Sequence, residues 1–514
     1  MTRKGIVYLV GAGPGDRDLI TLRGVECLRR ADLVLYDYLV NAELLEHVSS
    51  DAECICLGRH GEPRWTQQAI GERMVAAARD GLTVVRLKSG DPMIFGRAAE
   101  ELLVLGEAGV AFEIVPGITA ALAAAASLGL PITSRDAASA VALVTGQESG
   151  EKSEEDQLDY QALAGFPGTL VFYMGVTTAA QWTTKLMAAG MPADRPVALV
   201  RRCSWPDERV VFCRLDEVVG QVVPRSLLPP PVIAVVGEAA AACAAWNHQD
   251  ARPLLGETVV VTRPRHQAKE LGEAFRELGA RVLYQPALEI KPPKDWSEVD
   301  RQLDELRSFH WIVFSSSNGV DFFFRRLRER GGDLRRLADT QVAAVGPGTA
   351  EALARFQVAG IEQPAAGFRA ESLVELLQDR VVGRRVLVVR AERGRDVLVD
   401  GLRTQGAEVK ELVVYRSEEV ATMEPEVARV LRSLSTAWVL ATSSASARSL
   451  VRLLGRSSIS DGTGLAPWRW VSISPLTSQA LRECGVEAIE EAAEATSQSL
   501  VETVLQRVRR GRSD

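Results

Sequence analysis

Short apolar runs rich in Val, Ile and Leu alternate along nearly the whole chain with stretches whose apolar residues recur at helical spacing. In the first half the runs predict strands at Ile6–Val10, Leu33–Tyr36, Thr83–Leu87, Phe112–Val115, Ala140–Val144, Thr169–Tyr173, Val197–Val200 and Val232–Val236. Helical patterns lie between most of them, as over Gln68–Arg79 and Ala99–Gly109. Such alternation predicts α/β layers with largely parallel sheet. The charged segment Glu148–Gln161 reads as an exposed loop. A stronger break, polar and carrying a proline, falls over Trp246–Gly256. After it the pattern restarts at Thr258–Val261, Val282–Gln285, Trp311–Ser315, Gln341–Val345, Arg385–Val389, Glu408–Val414, Ala437–Thr442 and Trp470–Ile473. The main boundary therefore lies near residue 250, with modules 1–245 and 256–514 joined by a linker over 246–255.

Composition narrows the function classes. A chain of 514 residues has room for three or four domains at about 150 residues each. Its 46% hydrophobic and 25% charged residues are ordinary for a soluble globular protein. Acidic side chains outnumber basic ones, 67 to 60, for a net charge of -7, which argues against a nucleic-acid partner. Seven cysteines without a C-x-x-C do not make a disulfide scaffold. Five histidines with none at i, i+4 spacing leave no metal site to expect. The N-terminus lacks the apolar segment and cleavage site of a signal peptide. The most apolar stretch, Ile118–Ile132, is too short to span a bilayer. A cytoplasmic protein with no membrane partner is the expectation.

The candidate chemistry begins at Gly11-Ala12-Gly13-Pro14-Gly15-Asp16, between the first strand and a helix-like run from Thr21 to Arg30. A glycine turn opening a helix can cradle an anion. Asp37, ending the second strand, stands where a dinucleotide fold keeps its ribose-binding acid, so a nicotinamide oxidoreductase is one reading. Against it, the spacing is G-x-G-x-G, and Pro14 removes an N–H donor from the cradle. Three more strand-end loops follow: Arg86-Leu87-Lys88-Ser89-Gly90-Asp91-Pro92-Met93-Ile94-Phe95-Gly96-Arg97, Val115-Pro116-Gly117-Ile118-Thr119-Ala120 and Tyr173-Met174-Gly175. Open α/β sheets bind ligands at such carboxyl ends.

Together GAGPGD, YD, RLKSGDPMIFGR, VPGITAA, LVTG and VFYMG resemble, in order and spacing, the uroporphyrinogen-III C-methyltransferases of the wider tetrapyrrole methyltransferase family, over residues 5 to about 245. The resemblance implies two α/β lobes, about 1–116 and 117–245, with S-adenosylmethionine in the cleft between them. It implies cofactor contacts from Pro14, Ser89, Gly90, Asp91, Ile94, Thr119, Ala120 and Met174. Cys203, where relatives usually have glycine, would contribute through its backbone. Asp37 takes the position of the family's proton acceptor. Arg59 stands where relatives carry a lysine assigned as proton donor. Arginine stays protonated, so Arg59 reads either as a replaced donor or, preferably, as a clamp on a substrate carboxylate. The substrate carries eight carboxylates; Arg86, Lys88, Arg97 and Arg135, in or beside the motif loops, are candidates to bind them. A homodimer through this module is a family expectation.

The second module offers hydroxyl-rich strand-end turns: Thr262-Arg263-Pro264, Ser315-Ser316-Ser317-Asn318-Gly319, Gly346-Pro347-Gly348-Thr349 and Thr442-Ser443-Ser444. Helix N-termini of this kind bind carboxylates without fixed charge, although each serine is also an ordinary cap. Their order resembles uroporphyrinogen-III synthase across about residues 256–510. That implies a bilobal α/β fold with the second lobe inserted over about 293–411, and cyclisation of hydroxymethylbilane to uroporphyrinogen III, the substrate of the first module. Tyr415 matches a tyrosine assisting hydroxyl departure, and Ser316, Thr349 and Ser443 are binding candidates. The implied whole is a bifunctional enzyme acting on small tetrapyrroles, on the way to sirohaem or cobalamin. A methyltransferase fused to a ligand-sensing module is the alternative.

Overall fold

The computed structural model describes residues 5–513 apart from 60–61, 64, 136–137, 149–156, 224–227, 244–251, 366, 368, 395, 435 and 457–467. Most of the expected linker and of the Glu148–Gln161 loop thus lies outside the described residues. The chain forms two compact units, one running to Glu257 and including Glu277–Arg281, the other comprising Thr258–Arg276 and the residues from Val282 onward.

The first unit starts with β1 (Ile6–Gly11), β2 (Leu33–Tyr36), β3 (Glu53–Cys56), a small hairpin of β4 (Gly58–Arg59) and β5 (Glu62–Pro63), β6 (Thr83–Lys88) and β7 (Ala111–Val115). Its main sheet has the order β3-β2-β6-β1-β7 and every pairing is parallel. Helices α1 (Leu22–Arg30), α2 (Gln67–Arg79) and α3 (Ala98–Glu107) cover it. Thr21 and Thr66 start the first two by accepting from the Gly24 and Ala69 N–H groups, the usual answer to orphan donors at a helix start. Apolar clusters fill both faces, with α2 and α3 on one and α1 on the other. Strand β6, the central strand with a parallel neighbour on each side, is buried at all its positions, as two-sided burial demands.

Helix α4 (Ala120–Leu128) packs its small Ala121 and Ala124 onto a second sheet. That sheet contains β8 (Val141–Thr145), β9 (Thr169–Tyr173), β10 (Pro196–Arg201), β11 (Arg209–Arg214) and β12 (Val232–Val236), in the order β11-β10-β12-β9-β8. Here the expectation of largely parallel sheet fails. Only β8 and β9 pair in parallel, and the other three pairings are antiparallel. The connection from Arg201 to Arg209 is too short for a crossover, so β10 and β11 form a hairpin.

The second unit has two sheets. The first runs β14-β13-β20-β21-β22, from β13 (Thr258–Val261), β14 (Arg281–Tyr284), β20 (Trp438–Ala441), β21 (Arg469–Ser472) and β22 (Ile489–Glu491). The other runs β15-β19-β18-β16-β17, from β15 (Leu288–Lys291), β16 (Trp311–Phe314), β17 (Gln341–Ala344), β18 (Arg385–Ala391) and β19 (Glu408–Glu419). All of the second sheet lies between β14 and β20 in sequence, so one lobe is inserted into the other, and its strands extend from Leu288 to Glu419. Buried Gln285 ties the two crossing segments together by accepting from the Glu424 N–H at 2.9 Å.

Candidate functional site

Because β6, β1 and β7 lie side by side, the loops leaving their carboxyl ends meet. Gly13 and Gly90 exchange a pair of backbone hydrogen bonds, 3.2 and 2.7 Å. Gly117 packs against both neighbouring loops: a Cβ there would overlap the Gly90 carbonyl oxygen and the Gly11 backbone. Gly90 itself has φ +71°, which favours glycine. The Asp91 carboxylate completes the junction, accepting from the Gly117 N–H at 2.9 Å and the Met93 N–H at 2.8 Å.

The second lobe closes on this junction. The Tyr173 hydroxyl accepts from the Ala121 N–H at 2.9 Å and lies 2.7 Å from the Thr119 hydroxyl, fixing the start of α4. The Phe95 ring meets Tyr173 at 4.9 Å. The Cys203 thiol points to the Ala120 carbonyl at 3.6 Å, and burial pushes its pKa up to about 12. Ser204 accepts from the Asp16 N–H at 3.0 Å, and Trp205 Nε1 donates to the Pro14 carbonyl at 3.2 Å. Gly15 has no room for a side chain beneath Trp205. Above Gly90, by contrast, the nearest heavy atoms to a notional Cβ are Thr119 Cα at 3.9 Å and Ala120 N at 4.0 Å. Ile94 joins the apolar cluster beside Ala120 and Ile118, and Met174, at φ +55°, is half exposed.

Beside the junction is a charged set. Asp37 follows β2, its N–H bonded to the Leu87 carbonyl and its carboxylate partly exposed. Arg86 Nη2 donates to Asp37 Oδ1 at 2.5 Å, Nε to Glu101 Oε1 at 2.9 Å and Nη1 to the Leu87 carbonyl at 3.2 Å. Lys88 Nζ donates to both oxygens of Glu101, at 2.9 and 2.8 Å. Arg86 and Lys88 are each 2% exposed and Glu101 1%. Burial, and then Arg86, hold the Lys88 pKa below its usual value. Burial also works against the Arg86 charge, but the Asp37 and Glu101 carboxylates outweigh it and raise its pKa.

In the second unit, Ser316 caps the helix Ser317–Glu329 through the Gly319 N–H and lies 2.9 Å from the Tyr415 hydroxyl. Tyr415, on β19, stacks on Phe322 with centroids 6.0 Å apart, and burial raises its pKa. Helix Pro347–Arg355, carrying buried Thr349, follows β17, which pairs with β16. Ser443 caps Ser444–Arg456 in the other lobe by accepting from the Ser446 N–H. The lobes touch where Gln267 Nε2 donates to Asn318 Oδ1 at 2.7 Å. Arg263, at the end of β13, donates to Ser497 Oγ at 3.0 Å, makes no ion pair among the described residues, and has its pKa lowered by burial. Arg390, at the end of β18, is instead paired with Asp396 and Glu411.

Known proteins carry the same two parts. The family of Tetrapyrrole (Corrin/Porphyrin) Methylases matches residues 6–219, and Uroporphyrinogen-III synthase HemD matches 269–502. The Porphyrin biosynthesis protein HemD of Ruminiclostridium josui is 33% identical over 420 residues, covering 81% of this chain and 82% of its own. The chain belongs to the tetrapyrrole methylases and the uroporphyrinogen-III synthases, joined in one polypeptide. The Uroporphyrinogen-III C-methyltransferase of Bacillus subtilis is 34% identical over 343 residues, 66% of this chain and 70% of its own. The solved Uroporphyrin III C-methyl transferase from Thermus thermophilus is 38% identical over 46% of this chain and 94% of its own, with a TM-score of 0.40. Both units are thus those of tetrapyrrole-biosynthesis enzymes.

In the methylase unit, Pro14, Gly90, Asp91, Ile94, Thr119, Ala120 and Cys203 come to one junction, with Ser89 adjacent in sequence and Met174 following Tyr173. Asp91 turns both oxygens to backbone amides, so it holds the loops together. Arg97 is exposed at φ +54° and pairs with Glu100. Arg135 lies in a described turn. Arg59 is in β4, and its side chain lies outside the described residues. Arg86 and Lys88 do not fit the expected role of substrate clamps: both are buried, and their donors face Glu101, Asp37 and the Leu87 carbonyl. In the synthase unit, Ser316 and Tyr415 meet, Thr349 follows the neighbouring strand, and Ser443 belongs to the other lobe.

Three residues escaped the sequence reading. Glu101 sits in an acidic stretch that looks like a solvated helix face, although two cations on one buried strand demand an internal counter-charge. Trp205 gave no signal at all. Arg263 lies in the turn Thr262-Arg263-Pro264, and only the fold shows that it makes no ion pair among the described residues.

Proposed function

We propose that the synthase unit closes hydroxymethylbilane to uroporphyrinogen III, and that the methylase unit transfers methyl groups from S-adenosylmethionine to carbons of that product, giving precorrin-2. What carries the reading for the methylase unit is the junction of the Gly13, Gly90 and Gly117 loops with Thr119–Ala120, directly beside a partly exposed Asp37. The residues fit the donor: Gly90 leaves its backbone open, Ile94 and half-exposed Met174 offer apolar surface for thioether carbons, and Trp205 and Phe95 shield the cleft. When bound, S-adenosylmethionine would supply a sulfonium methyl group, whose carbon bonds to the ring carbon as its bond to sulfur breaks and the sulfur leaves as a neutral thioether. The protein aligns the reactants and excludes water. The methylated ring system then releases a proton, and the Asp37 carboxylate, held by Arg86, accepts it. Equilibrium titration with S-adenosylhomocysteine tests the cleft, and absence of binding to folded protein contradicts the reading.

In the synthase unit, Tyr415 serves as proton donor to the departing hydroxyl, with Ser316 orienting the phenol. A phenol is protonated at neutral pH, and burial raises its pKa further. Tyr415→Phe is expected to lower kcat for cyclisation by about 10²-fold, while methyl transfer to supplied uroporphyrinogen III stays normal. Equal cyclisation by variant and parent removes Tyr415 from the mechanism. Arg263, a partly buried cation that makes no ion pair among the described residues, binds a carboxylate of the bilane. Arg263→Met is expected to raise KM for the bilane about tenfold, one charge-assisted contact being worth roughly 1.5–3 kcal/mol, and Arg263→Lys to recover part of it. An unchanged KM rejects the assignment. A cytoplasmic homodimer formed through the methylase unit completes the proposal, with sedimentation of the intact protein as its test.

A further inference from the structure

Glu101 touches neither the loop junction nor Asp37, yet it is one of the most deeply buried charges of the methylase unit. We propose that Glu101 and Arg86 are positioning residues for methyl transfer, Glu101 fixing Arg86 and Arg86 fixing the Asp37 carboxylate, with Lys88 balancing the charge. This rests on Asp37 being the proton acceptor.

The geometry carries it. The Arg86 guanidinium bridges two carboxylates through different nitrogens, Nε on Glu101 and Nη2 on Asp37, while Nη1 is fixed by the Leu87 carbonyl. A planar fork held at three points has no rotational freedom, so the Asp37 oxygen it grips has none either. Glu101 alone would give the Arg86 side a neutral pair and leave Asp37 as surplus negative charge. Lys88, on the same strand and bonded to both Glu101 oxygens, brings two cations against two anions. A neutral set can be buried, whereas an odd charge there is costly. Only Asp37 reaches solvent appreciably, so it is the member available to a substrate.

The test compares variants of the full chain by steady-state methyl transfer, separating kcat from KM, with S-adenosylhomocysteine binding as the check on folding. Arg86→Lys keeps a cation but cannot span both carboxylates. It is expected to lose about 100-fold in kcat, the scale of a small misplacement of a reacting group, with KM for the tetrapyrrole unchanged. Arg86→Met also removes the cation beside the carboxylate. The carboxylate is left ungripped, and kcat is expected to fall at least as far as in Arg86→Lys, with KM for the tetrapyrrole again unchanged. Glu101→Gln leaves two buried cations facing one carboxylate and is expected to bind the donor analogue poorly. The double variant Glu101→Gln with Lys88→Met restores neutrality, since the amide oxygen still accepts from Arg86 Nε, and is expected to recover binding and most of kcat. A raised KM with normal kcat in the Arg86 variants would make them substrate clamps and overturn the proposal. Full activity of Asp37→Asn would instead overturn the reading beneath it, so the two failures are distinct.

Discussion

Asp37→Asn lowers kcat for methyl transfer by on the order of 10³-fold, within the range for a lost general base, and leaves S-adenosylhomocysteine binding intact. The amide has the size of the carboxylate and its oxygen still accepts from Arg86 Nη2, so the Arg86 bridge survives and only the proton-accepting charge is lost. The variant leaves the charged set with a surplus positive charge. Because the Asp37 side chain is about a third exposed, solvent screens that charge and folding persists. Single-turnover transfer of a labelled methyl group separates chemistry from product release. Near-parental rates in that assay would remove Asp37 from the reaction.

Gly117→Ala is expected to destabilise the methylase unit by about 3 kcal/mol, the upper end for forced overpacking, and to weaken S-adenosylhomocysteine binding by about 100-fold or more, the loss that small displacements in a site can cause. The added methyl group meets backbone on two sides, the Gly90 carbonyl and Gly11. Neither gives way easily, since Gly90 is bonded in both directions to Gly13, and Asp91 clamps the Gly117 N–H. Gly109→Ala is the control. That residue precedes β7, has open space around its Cα and φ +65°, so its cost is only the left-handed conformation, about 1 kcal/mol. Thermal unfolding and calorimetric titration of the pair decide the matter. Equal effects of the two substitutions would show that the junction is not close-packed.

Much of the architecture is written in local chemistry. Strand-end strings such as GAGPGD and VPGITAA announce both a turn and the close approach that only glycine permits, and Thr21, Thr66 and Ser316 mark helix starts by their capping. Strand direction is not local. Val197–Val200 and Val232–Val236 read as interior strands of a parallel sheet but pair antiparallel, because apolar content reports two-sided burial and says nothing of chain sense. The edge strands Arg209–Arg214, Leu288–Lys291 and Ile489–Glu491 were missed for the complementary reason: their alternating or exposed positions resemble loops. Arg86 and Lys88 show the same limit at the site. Two cations in a loop motif suggest an anionic ligand, but β6 lies between β1 and β2, and a strand enclosed on both edges and both faces carries its cations inward to Glu101. Arg263 is the converse, an arginine that local sequence does not single out and that makes no ion pair among the described residues.

The central claim is that one polypeptide performs both reactions. It is tested most directly by incubating the intact protein with hydroxymethylbilane and methyl-labelled S-adenosylmethionine, then determining the mass and ring arrangement of the product. The account predicts a macrocycle with its last ring inverted and two labelled methyl groups on carbon. Bilane left unconverted by folded protein, or a cyclic product free of label, would contradict it.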